Sequence, residues 1–193
     1  MCCILMGNPV CRYRCLKCCG SFLFIIGLIF IGGGIVFALS ETDIEIFQFL
    51  AAFNYSYITL WGGIGALVAG ISAMYVGFRM SDDDCSARGM AIMCVLAIAS
   101  TAGTMAVLTW NLYEQDYFGD IGEEARTTKL EQYVIANTPA DTFEFKYEDW
   151  LASIIIYGAM CFLTIITWAS SAASMAIGCC CPDASEFVDD EKA

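Results

Sequence analysis

The residues best equipped for chemistry in this 193-residue chain are its 12 cysteines. A thiolate can bind a soft metal, close a disulfide or carry a thioester-linked acyl chain. Cys15-x-x-Cys18 with Cys11 has zinc-like spacing, but no second pair lies nearby and the chain contains no histidine. That absence also removes the usual imidazole ligand and the commonest general base near neutral pH. Cys2, Cys3, Cys11, Cys15, Cys18 and Cys19 precede the first long apolar run, Cys179, Cys180 and Cys181 follow the last, and Cys85 lies between the second and third runs. Only Cys94 and Cys161 fall within runs. Cysteines at a membrane border beside Arg12, Arg14 and Lys17 fit reversible S-palmitoylation. Metal binding and plain reduced thiols are the competing readings. No metal, cofactor or catalytic residue is assigned.

Other candidate groups are less specific. Asp116, Asp120, Glu123 and Glu124 lack the ligand spacing and central glycine of an EF-hand, so they read as a solvated acidic face. Asn54-Tyr55-Ser56 is a formal glycosylation sequon, but it abuts an apolar run and is poorly reachable. Ser100, Thr101, Thr104 and Thr109 make one run polar, as do Thr164, Thr167, Ser170, Ser171 and Ser174 in another. Such hydroxyls read either as backbone-bonded groups at helix interfaces or as the lining of a lipid cavity.

The elements that must hold these groups follow from hydropathy. Apolar residues make up 59% of the chain and charged residues 16%, far from the balance of a soluble domain. Four charge-free windows, residues 18–40, 46–78, 89–113 and 150–182, hold 23, 33, 25 and 33 residues, each enough to cross a bilayer as a helix. Ala38-Leu39-Ser40 resembles a signal cleavage site, but the run before it is longer than a signal core. The expected fold is all-α: one four-helix transmembrane domain with spans at 20–39, 57–78, 89–113 and 150–178. Loops at 40–56 and 114–149 face outward, and an acidic tail covers 181–193. Ile46 to Leu50 are apolar enough to lie at the membrane interface. Within the larger loop, residues 122–137 read as a short helix, and 141–149 alternate like a short strand or an extended return. Trp61, Trp110 and Trp150 read as interfacial anchors, Trp168 as packing between helices. Six of the nine basic residues lie in the terminal segments and the 79–88 turn, which favours both termini on the cytoplasmic side. The net charge of −12 excludes nucleic acid as a partner.

Glycine spacing predicts how the helices pack. Gly20, Gly27 and Gly34 recur every seven residues in the first span. Gly63, Gly70 and Gly77 do so in the second, with Ala66 and Ala73 between them on the same seam. Gly27 and Gly34 are expected to face Gly63, Gly70 and Gly77 in a close antiparallel pair. The third span has a shorter set, Ala99, Gly103 and Ala106, and the fourth has Ser170, Ser174 and Gly178.

Cys15-Leu16-Lys17-Cys18-Cys19, followed by Gly27-Leu28-Ile29-Phe30-Ile31-Gly32-Gly33-Gly34-Ile35, resembles the first segment of tetraspanins. The glycine heptads, cysteine-rich ends, small first loop, tight turn and larger second loop are similar too. The loop at 114–149 departs from that family: it has no cysteine and hence no Cys-Cys-Gly motif. The resemblance implies a non-catalytic membrane organiser, multi-pass in the plasma membrane, that associates laterally with other integral membrane proteins in homo- or hetero-oligomers. It also implies a lipid-lined cavity able to hold a sterol. Tyr117, Phe118, Phe143, Phe145 and Tyr147 of the larger loop are the expected partner-binding residues. The alternatives are an auxiliary subunit of a channel or other membrane complex, and a lipid-binding membrane protein.

Overall fold

The computed structural model describes residues 9–39, 45–79, 84–115, 117, 123–137 and 147–179. They form six helices: α1 (Pro9–Leu39), α2 (Glu45–Ala52), α3 (Tyr55–Arg79), α4 (Asp84–Glu114), α5 (Glu123–Asn137) and α6 (Tyr147–Cys179). No strand occurs among the described residues. Four helices are long and apolar enough to span a membrane, over Arg12–Ala38, Tyr55–Arg79, Ser86–Glu114 and Trp150–Gly178. The chain is thus all-helical and reads as a multi-pass integral membrane protein.

Three of the long helices, α1, α4 and α6, begin before the charge-free windows that announced them, whereas α3 begins nine residues inside its own. α1 begins at Pro9 and passes through Arg12, Arg14 and Lys17. Proline suits a first helical turn, and arginine and lysine are good helix formers, so a charge that ends an apolar window does not end a helix. α6 likewise begins at Tyr147. The expected strand or extended return is therefore wrong for Tyr147, Glu148 and Asp149; residues 141–146 lie outside the described set. The short helix expected at 122–137 is present as α5. At its end the Asn137 side-chain amide donates to the Tyr133 carbonyl at 2.8 Å.

Residues 46–50 form most of a helix, α2, and Phe49 and Leu50 are completely buried within the protein. Two residues, Phe53 and Asn54, separate α2 from α3. Asn54 has φ of 58°, the left-handed region that asparagine tolerates better than most residues. Its N–H donates to the Ala51 carbonyl at 2.8 Å, and its carbonyl accepts from the Ile58 N–H at 3.1 Å. One residue thus closes one helix and opens the next.

The chain divides into two compact units. One comprises Met1–Gly27, Gly65–Ala99 and Ile166–Ala193; the other comprises Leu28–Ile64 and Ser100–Ile165. In the first, Tyr13, Leu16 and Leu23 of α1 pack with Ala69, Ala73 and Val76 of α3, Met90, Cys94 and Ala97 of α4, and Ile177 of α6. The small residues of α3 let the larger side chains of α1 reach across. In the second, α2 packs against α5, whose Leu130 and Val134 are fully buried.

Candidate functional site

In the first unit the glycines set the distance between α1 and α3. A Cβ on Gly20 would lie 2.8 Å from Met74 Cγ and 2.9 Å from the Gly70 carbonyl. One on Gly70 would lie 2.6 Å from the Phe24 nitrogen, and one on Gly27 would lie 2.7 Å from the Leu67 nitrogen. One on Gly77 would lie 3.1 Å from the Lys17 nitrogen. Successive positions rise along α1 as they fall along α3, so these segments run antiparallel with backbones in contact. Ala66 and Ala73 are fully buried, and Gly63 is buried as well. The pairing differs from expectation, however. Gly27 lies nearest Leu67, Gly77 nearest Lys17 and Tyr13, and Gly20 and Gly70 bring two glycines together. In the second unit, a Cβ on Gly34 would sit 2.7 Å from Thr59 Oγ1 and 3.0 Å from the Ser56 carbonyl.

Not every glycine is part of such a seam. A Cβ on Gly32, Gly103 or Gly158 would meet nothing within 4 Å. Ala99, Gly103 and Ala106 are all exposed, so the small-residue set of α4 points away from the other helices.

The cysteines separate by environment. Cys15 and Cys18 are exposed, Cys19 is half-buried and Cys94 is buried. Cys11, Cys85 and Cys179 are described only as helical backbone, and Cys2, Cys3, Cys180 and Cys181 lie outside the described residues. No group of metal-ligating side chains is present among the described residues. Nearby, Arg12 Nη2 donates to the Gly178 carbonyl at 3.3 Å, placing a cation at the end of α6. The helix dipole favours positive charge there.

The second unit holds an aromatic and hydroxyl cluster. Tyr133 and Phe53 have ring centroids 4.9 Å apart, as do Phe53 and Phe49, and the Phe49 ring lies 5.9 Å from Tyr117. Tyr117 then meets Trp150 at 6.4 Å. The Tyr117 hydroxyl donates to the Trp150 carbonyl at 3.2 Å and shares a hydrogen bond with the Ser153 hydroxyl. Burial pushes the Tyr117 phenol up to about 12, with the Ser153 hydrogen bond opposing the shift. Burial, helped by the negative charge of Glu114, also raises Tyr133. Both phenols stay neutral at physiological pH.

Tyr117 is therefore not an exposed partner contact, as its loop position suggested, but a fully buried anchor. Its ring and hydroxyl each find a partner in the same unit. Phe118, Phe143 and Phe145 lie outside the described residues, and only the backbone of Tyr147 is described. Trp150 is half-buried against Tyr117, whereas Trp168 is 38% exposed and does not sit sealed between helices. Trp61 and Trp110 are exposed near helix ends.

Most helix hydroxyls bond backward within their own helix. Thr104 Oγ1 donates to the Ser100 carbonyl at 2.9 Å and Ser174 Oγ to the Ser170 carbonyl at 2.8 Å. Others cross between helices: Ser21 Oγ donates to Met74 Sδ at 3.7 Å, Ser100 Oγ donates to the Trp61 carbonyl at 3.0 Å, and the Thr109 and Tyr157 hydroxyls lie 2.8 Å apart. Among the described residues the buried hydroxyls of Tyr55, Thr164 and Ser171 have no hydrogen-bond partner. The Phe49–Phe53 spacing of four residues was the available sequence signal for the aromatic cluster. Nothing in the spacing indicated that Tyr117 would fold onto it. No family model matches this chain, and no similar curated protein or solved structure was found.

Proposed function

We propose that the chain is a non-catalytic, tetraspanin-like membrane organiser that associates laterally with other integral membrane proteins. The observation that carries this reading is the division among its glycines. Those at the α1–α3 seam have a packing reason within the chain, whereas Gly103 and Gly158 are exposed in apolar helices with nothing within 4 Å of a Cβ. Membrane helices associate through small residues that let backbones approach. Large apolar side chains surround them, including Val107, Ile155, Phe162 and Ile165. On this reading the spans form a four-helix bundle in the plasma membrane. Both termini are cytoplasmic, and the exposed Cys15 and Cys18 carry acyl chains. Phe118, Phe143, Phe145 and Tyr147 remain the outward candidates for recognition.

The test is copurification in mild detergent. Gly103→Leu and Gly158→Leu should reduce recovery of partner proteins while leaving the melting temperature intact. Recovery unchanged in both variants refutes lateral association through these faces. A partner recovered at fixed stoichiometry from one complex favours the auxiliary-subunit reading instead. A tag after Asp120 should be reachable on intact cells and terminal tags should not; the reverse result overturns the orientation.

A further inference from the structure

In the first unit an open groove of about 350 Å³ is lined by Lys17, Cys18, Ser21, Phe22 and Ile25. All five lie on α1 at spacings that put them along one side of the helix. Lys17 is half-buried because its stem lies against α3, where a Cβ on Gly77 would come 3.0 Å from Lys17 Cγ. The Lys17 ammonium sits 4.6 Å from the centroid of the Phe78 ring, within cation–π range. The groove thus has a fixed positive charge at one end. Phe22 and Ile25 continue it into the span and are 55% and 53% exposed. The span begins at Arg12, so Lys17 lies about 7–8 Å along the helix axis from that end. A lysine near the end of a span can hold its ammonium at the membrane interface.

We propose that this groove binds one anionic phospholipid of the surrounding bilayer. Its phosphate rests on the Lys17 ammonium, and one acyl chain lies along Phe22 and Ile25. The volume falls within the range of small-ligand sites. The charge complements an anionic headgroup, and the apolar wall complements a chain. The proposal rests on the membrane spans alone, not on the organiser reading. The rival occupant is an acyl chain carried by Cys18 itself.

The experiment uses the full-length protein in mild detergent, with native mass spectrometry to count bound molecules. Dioleoyl phosphatidylglycerol, dioleoyl phosphatidylcholine and inorganic phosphate are added in separate samples. The expected result is retention of phosphatidylglycerol, several-fold weaker retention of phosphatidylcholine, and no retention of phosphate. Lys17→Gln should weaken phosphatidylglycerol retention about fivefold, the worth of one lysine at an anionic surface. Lys17→Arg should restore most of it, which separates lost charge from lost folding. Arg88→Gln removes a charge from another helix of the unit and should leave retention unchanged. Equal loss in Lys17→Gln and Arg88→Gln overturns the site, as does equal retention of the two lipids. Phosphatidylglycerol binding that begins only after hydroxylamine treatment also overturns it, because the groove then belongs to the Cys18 chain.

Discussion

Gly70→Ala adds one methyl group at the point where α1 and α3 approach most closely. Its Cβ would stand 2.6 Å from the Phe24 nitrogen, 2.8 Å from the Gly20 carbonyl oxygen and 3.0 Å from the Phe24 Cα. All three are backbone atoms, so no side chain can swing aside. Ordinary contact begins near 3.4 Å, and the helices must part by nearly an ångström to restore it. Overpacking of this kind costs about 1–3 kcal/mol, or roughly 2–12 °C in melting temperature for a chain of this size. Gly103→Ala is the matched control, since its Cβ meets nothing within 4 Å. Both changes gain the same helix propensity, up to about 1 kcal/mol, so their difference isolates the seam. The assay is thermal unfolding in detergent of the two variants beside the parent. Equal melting temperatures for Gly70→Ala and Gly103→Ala would refute the close packing of α1 and α3.

Three further outcomes are expected. The Tyr117 phenol is raised from its ordinary value near 10 to about 12, so the folded state favours the neutral form. Its contribution to stability is complete below pH 10 and is lost between pH 10 and 12 as the unfolded chain ionises first. Melting curves across that window should show a loss that is smaller in Tyr117→Phe; identical curves would remove Tyr117 as the cause. Arg12→Gln removes the cation from the Gly178 carbonyl and should lower stability by about 0.5–2 kcal/mol, read from the same melts against Arg14→Gln. Acylation, followed by hydroxylamine-sensitive mass shift, should fall strongly in Cys15→Ser and Cys18→Ser. It should fall least in Cys19→Ser, because the Cys19 thiol is half-buried whereas Cys15 and Cys18 are exposed.

The four spans were legible in the sequence because charge is expensive in hydrocarbon, and a helix that must cross it excludes charge for 20 or more residues. The α1–α3 seam was legible as periodicity, since residues seven apart fall on one face of a helix. Which residue each glycine would face was not. Periodicity fixes the face of one helix, while register depends on how the partner is rotated and shifted, so Gly27 lies nearest Leu67 rather than another glycine. The place of Tyr117 was hidden for a related reason. It follows directly on α4 and belongs by sequence to a solvated loop, yet the ring stack around Phe49 and Phe53 gives it a buried place. Hydropathy weighs a residue by type and neighbours in the chain, and distant rings that will shelter it do not enter. The Lys17 groove was invisible for the opposite reason: lysine before a span reads as a topology signal, and only the absent side chain of Gly77 shows where its stem lies.

Helix length has a mechanical consequence. α3 has 25 residues, against 31 in α1 and α4 and 33 in α6. At 1.5 Å per residue it measures about 38 Å, bounded at one end by the Asn54 corner and at the other by Arg79. The other three run to about 46–50 Å. α3 is thus the shortest of the four helices long enough to span a membrane, with the Asn54 corner at one end and the Arg79 cation at the other. A bilayer core of about 30 Å is met by tilting rather than by protrusion. Within the first unit residues 13–27 of α1 are held backbone to backbone against residues 67–77 of α3, so those two segments cannot tilt independently of each other.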